Sequence, residues 1–238
     1  MQDKELLVTG AQQIGVELTE EQIYKFMRYL EILQEWNQKM NLTALDTTRE
    51  IIIKHFLDSL TCLVELNLNG KEKVIDVGTG AGFPGVPLKI IYPELKLTLL
   101  DSLRKRTNFL KQLCYKLGLE GIEFIHGRAE DYGQDQNYRE QYDYVVARAV
   151  ASLNTLVEYT LPFVKVNGRL IAQKGSEAEQ EVIESQQAVQ SLGGAIFDLR
   201  KVNLPYSEAE RHLVVIDKLA HTPTQYPRRA GKPKKSPL

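Results

Sequence analysis

From residue 71 onward, short apolar runs alternate with stretches of helical period. Lys73 to Val77 is a β-branched run, and Val86, Leu88, Ile90 and Ile91 follow it at helical spacing. Lys96 to Leu100 reads as a second strand. Arg104 to Leu117 carries Phe109, Leu110, Leu113 and Leu117 on one helix face and stops at Gly118. Ile122–His126, Tyr142–Ala147 and Arg169–Gln173 read as three more strands. A helix N-capped by Ser152 ends before Pro162, and a polar-faced helix spans Glu177 to Leu192. Strands alternating with helices predict a parallel sheet covered on both faces. The last two strands, about Ala195–Val202 and Leu213–Lys218, have no helix between them and should pair as an antiparallel hairpin at the sheet edge.

Residues 1–66 look helical. Thr19 to Gln22 matches a capping box, flanked by Leu18 and Ile23 as a hydrophobic staple. Ile23, Phe26, Met27, Leu30, Leu33 and Met40 then recur on one face. Thr47 to Glu50 is a second start signal, followed by Ile51, Ile52, Phe56, Leu60 and Leu63. His55 and Asp58 sit three apart and share a face, either as an active-site rim or as a surface or packing pair. The expected organisation is a helical extension over 1–66, a sheet domain over 67–220 and a tail over 221–238.

Composition changes this picture little until the tail. Formal net charge is −1, which points to no partner. Residues 219–238, however, hold Arg228, Arg229, Lys232, Lys234 and Lys235 and no acid. Bases interleaved with prolines and Tyr226 suit a phosphate backbone, or else a solubilising end; the prolines argue against a helix there. Cys62 and Cys114 form no C-x-x-C pattern and fit a reducing cytoplasm. No signal peptide or membrane-length apolar run is apparent, so no membrane partner is expected.

The first strand ends in Asp76-Val-Gly-Thr-Gly-Ala-Gly82. Glycines there let backbone N–H groups approach a ligand closely. Gly80, Gly82 and Gly85 satisfy a bare dinucleotide pattern, but counting from Gly78 the third glycine position is Phe83. The other reading is the D-x-G-x-G-x-G turn of class I S-adenosylmethionine (SAM) methyltransferases, in which Asp76 faces the amino-acid end of the cofactor. Five βα units and a terminal hairpin match that seven-stranded, Rossmann-like α/β layout rather than a symmetric dinucleotide fold.

Ligands of such sheets bind beyond the carboxyl ends of the strands. Asp101, with Ser102 beside it, lies 23 residues after Gly78, near the ~20-residue spacing of a ribose-binding acid. Ala129 and Glu130 follow the third strand and can read an adenine edge, or Glu130 can serve as a helix N-terminal acid. Arg148 follows the fourth strand, where the methyl acceptor is handled. Lys174 ends the fifth and, with Arg211, is a candidate for phosphate. No N-P-P-Y or Pro-Cys is present, which argues against exocyclic-amine and cytosine-C5 methylation. Neither H-E-x-x-H nor a cysteine cluster points to a metal, and no G-x-S-x-G points to an acyl nucleophile. A small-molecule methyltransferase and an NAD-dependent oxidoreductase remain as alternatives.

Trp36-Asn37, Met40-Asn-Leu-Thr43, His55-Phe-Leu-Asp-Ser-Leu60, Asp76 to Gly85, Arg148-Ala149 and Tyr226 to Pro233 together resemble the bacterial RsmG (GidB) family, almost end to end. That family methylates N7 of one guanine, guanine(527), in 16S ribosomal RNA with SAM. The resemblance implies a class I fold with an N-terminal helical extension, 16S rRNA or a small-subunit precursor as partner, and cofactor contacts at Gly78, Phe83, Ala129, Glu130 and Arg148. Arg228 and Arg229 join Arg148, Lys174 and Arg211 as expected RNA contacts.

Overall fold

A computed structural model describes residues 2–238; residue 1, which opens the expected helical extension, lies outside the described residues. Seven strands form one sheet: β1 (Lys73–Val77), β2 (Lys96–Asp101), β3 (Ile122–His126), β4 (Tyr142–Arg148), β5 (Val164–Lys174), β6 (Gly194–Val202) and β7 (Arg211–Lys218). Their order is β3-β2-β1-β4-β5-β7-β6. The first five are parallel, and β7 lies antiparallel between β5 and β6. The chain reverses direction across the sheet between β1 and β4, so the ligand crevice is expected above those two strand ends.

β5 begins five residues before the expected Arg169. The reason is a bulge: Tyr142 pairs with Val164, but Tyr144 already pairs with Arg169. Asn167 takes φ 69° there, and a Cβ on Gly168 would sit 2.7 Å from the Asp143 carbonyl oxygen. The extra residues break the period-2 pattern that marks a strand in sequence.

Two helices open the chain, α1 (Gln2–Gln13) and α2 (Glu20–Met40). The capping box of α2 forms as expected: the Thr19 hydroxyl accepts from Gln22 N at 3.3 Å, and Gln22 Oε1 accepts from Thr19 N at 2.9 Å. Then α3 (Thr48–Ile51) runs through a π-helical stretch, Ile52–Leu57, into α4 (Asp58–Leu60). Wide π turns of this kind recur at functional sites, and this one carries His55 at its centre and Asp58 at its exit.

The crossover helices are α5 (Gly85–Ile91), α6 (Arg104–Lys116), α7 (Ala129–Tyr132), α8 (Leu153–Thr160) and α9 (Ala178–Ser191). Two apolar cores flank the sheet. One joins α8 and α9 to one face through Leu156, Val157, Val189 and Ile216. The other joins the other face to α5, α6 and the N-terminal helices through Leu7, Phe26, Leu33, Phe56 and Leu99. The N-terminal helices therefore share a core with the sheet, which fixes them over the ends of β1 and β4. The tail also folds back on the domain, and Lys232–Lys235 forms a single helical turn, α10. The expectation of no helix there fails because Pro233 falls in the first turn, where a missing N–H costs nothing.

Phe56 has no exposed surface and lies 5.2 Å from the rings of both Phe26 and Tyr29 and 6.1 Å from Phe83. Phe56→Ala should cost ~3–5 kcal/mol of stability in urea unfolding. A loss below about 1 kcal/mol would contradict a shared core.

Candidate active site

Arg148 ends β4 and reaches across to the π-helical segment. Its Nη1 donates to Asp58 Oδ2 at 2.8 Å and to the Lys54 carbonyl at 3.1 Å. Its guanidinium carbon lies 5.0 Å from the centre of the Phe83 ring. The Phe83 ring is stacked between His55, 4.4 Å away, and Tyr29, 5.3 Å away. Arg148 Nη2 also sits 3.1 Å from His55 Nδ1. Arginine only donates, so Nδ1 must be the acceptor and the ring proton must be on Nε2. Nε2 then donates to the Thr43 hydroxyl at 2.8 Å. Burial first, and the Arg148 charge second, push the His55 pKa down to about 3, so the ring is neutral at ordinary pH.

Asp58, 3% exposed, holds a second cation as well: its Oδ1 accepts from Arg211 Nε at 3.1 Å. His55 and Asp58 thus line a cleft. That cleft, of about 790 Å³, is lined by Thr43, Lys54, His55, Asp58, Arg148–Ser152, Gln173, Lys174 and Arg211, among others. Lys174 does not offer itself to phosphate as expected. Its Nζ donates to the Ala151 carbonyl and to Glu181 Oε2, each at 2.6 Å, and Glu181 also accepts from Leu153 N. These bonds brace the loop after β4, where Ala149 sits at φ 54°, a left-handed conformation costing roughly 1–2 kcal/mol for a residue with a Cβ.

A second pocket, about 270 Å³, lies above the ends of β1, β2 and β3. It is lined by Gly78, Asp101, Ser102, Ala129, Glu130, Val150, Tyr159, Gly231 and Lys234, among others. Val150 lines both cavities, which therefore lie side by side. A Cβ on Gly78 would lie 2.7 Å from Val150 Cγ2, and Gly78 has φ 74°; only glycine serves there. The volume falls just below the roughly 300–1,000 Å³ of ligand pockets. Acid, hydroxyl and backbone donors beside a glycine turn suit SAM.

The remaining turn residues divide by role. Asp76 does not line either cavity, contrary to expectation. It has no exposure and lies beneath the turn, where Oδ2 accepts from Gly85 N at 2.8 Å and the Thr79 hydroxyl at 2.7 Å. Burial outweighs those bonds and pushes its pKa up to about 7. A Cβ on Gly82 would meet the Tyr29 hydroxyl at 2.6 Å, so that glycine serves packing against α2, whereas Gly80 is open. Asp101, expected to bind a ribose, also shapes the glycine turn: Oδ2 accepts from Gly80 N at 2.9 Å and from Arg106, and Oδ1 accepts from Leu103 N.

Arg228 also departs from its expected contact with RNA. It grips Glu158, whose side chain has no exposure, with Nη2 to Oε2 at 2.6 Å and Nε to Oε1 at 2.9 Å. A fully buried carboxylate needs such a partner. Arg229 remains exposed. Thr43, Val150, Glu158 and Glu181 escape sequence reading because each acts through a residue that local pattern does not pair with it. Only Thr43 lies within a stretch, Met40 to Thr43, that carries the family resemblance.

Solved methyltransferases share the fold. A 16S rRNA (adenine(1408)-N(1))-methyltransferase from Catenulisporales acidiphilia superposes with a TM-score of 0.53 at 14% identity, covering 64% of this chain and 87% of that one. A precorrin-6y C5,15-methyltransferase from Geobacter metallireducens gives 0.52 at 11% identity, covering 67% and 87%. Sequence relatives are nearer. The ribosomal RNA small subunit methyltransferase G of Alkaliphilus metalliredigens is 52% identical over 238 residues, all of both chains. That of Acetivibrio thermocellus is 54% identical over 236 residues, covering 99% of this chain and 96% of the relative. The family model for rRNA small subunit methyltransferase G, GidB, matches residues 22–214. With that match, and with full-length relatives above half identity, the chain belongs to the rRNA small subunit methyltransferase G (GidB) family.

Proposed function

We propose that this chain transfers a methyl group from SAM to N7 of a guanine in 16S rRNA, guanine(527) by family resemblance. SAM would occupy the pocket at Gly78, Asp101, Ser102, Ala129 and Glu130, and the guanine the larger cleft at Arg148. The observation that carries this reading is that the two cavities share Val150 in their lining, combined with an acceptor cleft in which Asp58, Glu181 and His55 are already engaged. When bound, SAM supplies an electrophilic methyl on a sulfonium centre. Guanine N7 is a free acceptor, so no proton has to leave before attack. The protein then has to align nucleophile and methyl at ~3–3.5 Å, an effect that can supply ~7–11 kcal/mol.

The side chains around the cleft fit that task. His55 Nδ1 is occupied by Arg148, Asp58 by two arginines and Glu181 by Lys174 and Leu153 N. Cys62 and Cys114 are buried, with thiol pKa values pushed up, that of Cys114 to about 12, so neither serves as a nucleophile. Arg148, fixed on four sides, positions the base. N7 lies on the deep major-groove edge of A-form RNA, so the target guanine is taken unpaired or flipped out. The substrate is 16S rRNA, free or in a small-subunit precursor, met in the cytoplasm; no helix is long and apolar enough to cross a membrane among the described residues.

Arg148→Ala should lose most turnover, and the product nucleoside should be 7-methylguanosine by mass spectrometry. Asp76 is the group near the site displaced into the working range. Its folded pKa is raised, so the folded state keeps a proton that the unfolded chain releases near pH 4, and stability falls as pH rises from about 4 to about 7. In Asp76→Asn, single-turnover methyl transfer should be level from pH 6 to 9. A log-linear rise there, or a methyl on N1, N2 or a carbon, would rule out base-free N7 transfer.

Arg229, Lys232 and Lys235 stay exposed on the tail and suit RNA phosphate. Replacing each with alanine should reduce the log–log salt slope of RNA binding by about 0.7–0.9 for every phosphate that is no longer neutralised. An unchanged slope would mean that the tail neutralises no phosphate.

A further inference from the structure

The tail lies against the cofactor pocket as well as carrying charge. Three sets of bonds lead it there. Arg139 donates to the carbonyls of Thr222 and Tyr226 at 2.6 and 2.7 Å, and Gln134 Nε2 donates to that of Pro227 at 2.8 Å. Arg228 then closes on the buried Glu158, from α8, with its backbone N–H as well as its guanidinium. Three residues later, Gly231 N donates to Glu130 Oε1 at 2.8 Å. Glu130 is 7% exposed and lines the pocket, and Gly231 and Lys234 line the same pocket. Pro233 is buried, with its carbonyl 3.5 Å from the Thr155 hydroxyl of α8.

We propose that residues 228–235 form the outer wall of the SAM pocket, held there by Glu158 and Glu130, and that cofactor binding depends on this segment. β1, β2 and β3 supply the floor through Gly78, Asp101 and Ala129. Gly231 and Lys234 add the tail's part of the lining, beside Val150 and Tyr159. Glu130 joins the two: one carboxylate touches the pocket and fixes the Gly231 backbone. A ligand in the pocket meets Lys234 and Gly231 only while the segment is docked. Ligand and docking therefore stabilise each other by linkage. Lys232 N, Lys235 N and Ser236 N are all hydrogen-bonded to tail carbonyls in the docked state, so their exchange with solvent reports release of the segment.

The inference rests on SAM occupying this pocket, and hydrogen–deuterium exchange on the full chain tests the two separately. Adding SAM should slow exchange at residues 77–83 and 127–131 and, by at least tenfold, at 229–236. Protection of the first two stretches without the third would overturn the wall and leave the pocket in place. Protection of none of them would remove the pocket assignment, and the wall with it. A full-length Arg228→Met, Glu158→Gln double variant keeps the buried site neutral while cutting the strongest anchor. By calorimetry its Kd for SAM should rise at least tenfold, with thermal unfolding still cooperative. An affinity within twofold of the parent, with 229–236 exchanging freely, would also overturn the proposal.

Discussion

The arrangement of this site depends on one carboxylate. Asp58 is almost fully buried, and its two oxygens bind two arginines from different parts of the sheet: Arg148 at the end of β4 and Arg211 at the start of β7. Removing one partner of a buried pair typically costs about 3–5 kcal/mol, because the remaining charge is stranded. Asp58 thus ties the N-terminal helices to the sheet by charge, where Phe56 and its neighbours tie them by packing. Gln173 adds to the same joint, donating from β5 to the Asp58 carbonyl at 2.6 Å.

The chemistry follows from how that joint is closed. A guanidinium held by Asp58, the Lys54 carbonyl, His55 and the Phe83 face has little freedom to move. A neutral histidine used as an acceptor cannot also serve as a base. The same saturation holds Lys174 and Glu181 to the loop after β4. What remains is a mould of ion-paired side chains next to a glycine turn, suited to a reaction that needs alignment rather than proton removal. The tail extends the same principle to the other cavity, where two buried acids, Glu130 and Glu158, are satisfied by the segment that closes it.

Much of the fold was legible because its signals are local. A β-branched run before Gly78, Gly80 and Gly82 marks β1 and its turn, and Gly118 stops α6. The missing crossover helix between β6 and β7 reveals their antiparallel pairing. The features that escaped are set by partners that local pattern does not reveal, most of them far along the chain. His55 and Asp58 look like a packing pair until Arg148, some 90 residues away, is placed between them. Lys174 and Arg228 look like free cations because Glu181 and Glu158 sit within helical patterns that advertise nothing. Asp76 keeps its strand-end position but spends its carboxylate beneath the turn. The first half of β5 was hidden by the bulge at Asn167 and Gly168. Motif residues therefore mark the strand ends, while tertiary pairing decides which of them line the cavities.

The most direct measurement is mass mapping of modified nucleotides in 16S rRNA from cells with and without the gene, followed by treatment of the unmodified small-subunit RNA with the purified protein and SAM. One 7-methylguanosine-bearing fragment should vanish with the gene and return on treatment. An identical set of fragments in both cells, or a restored methyl at any other atom, would contradict the assignment.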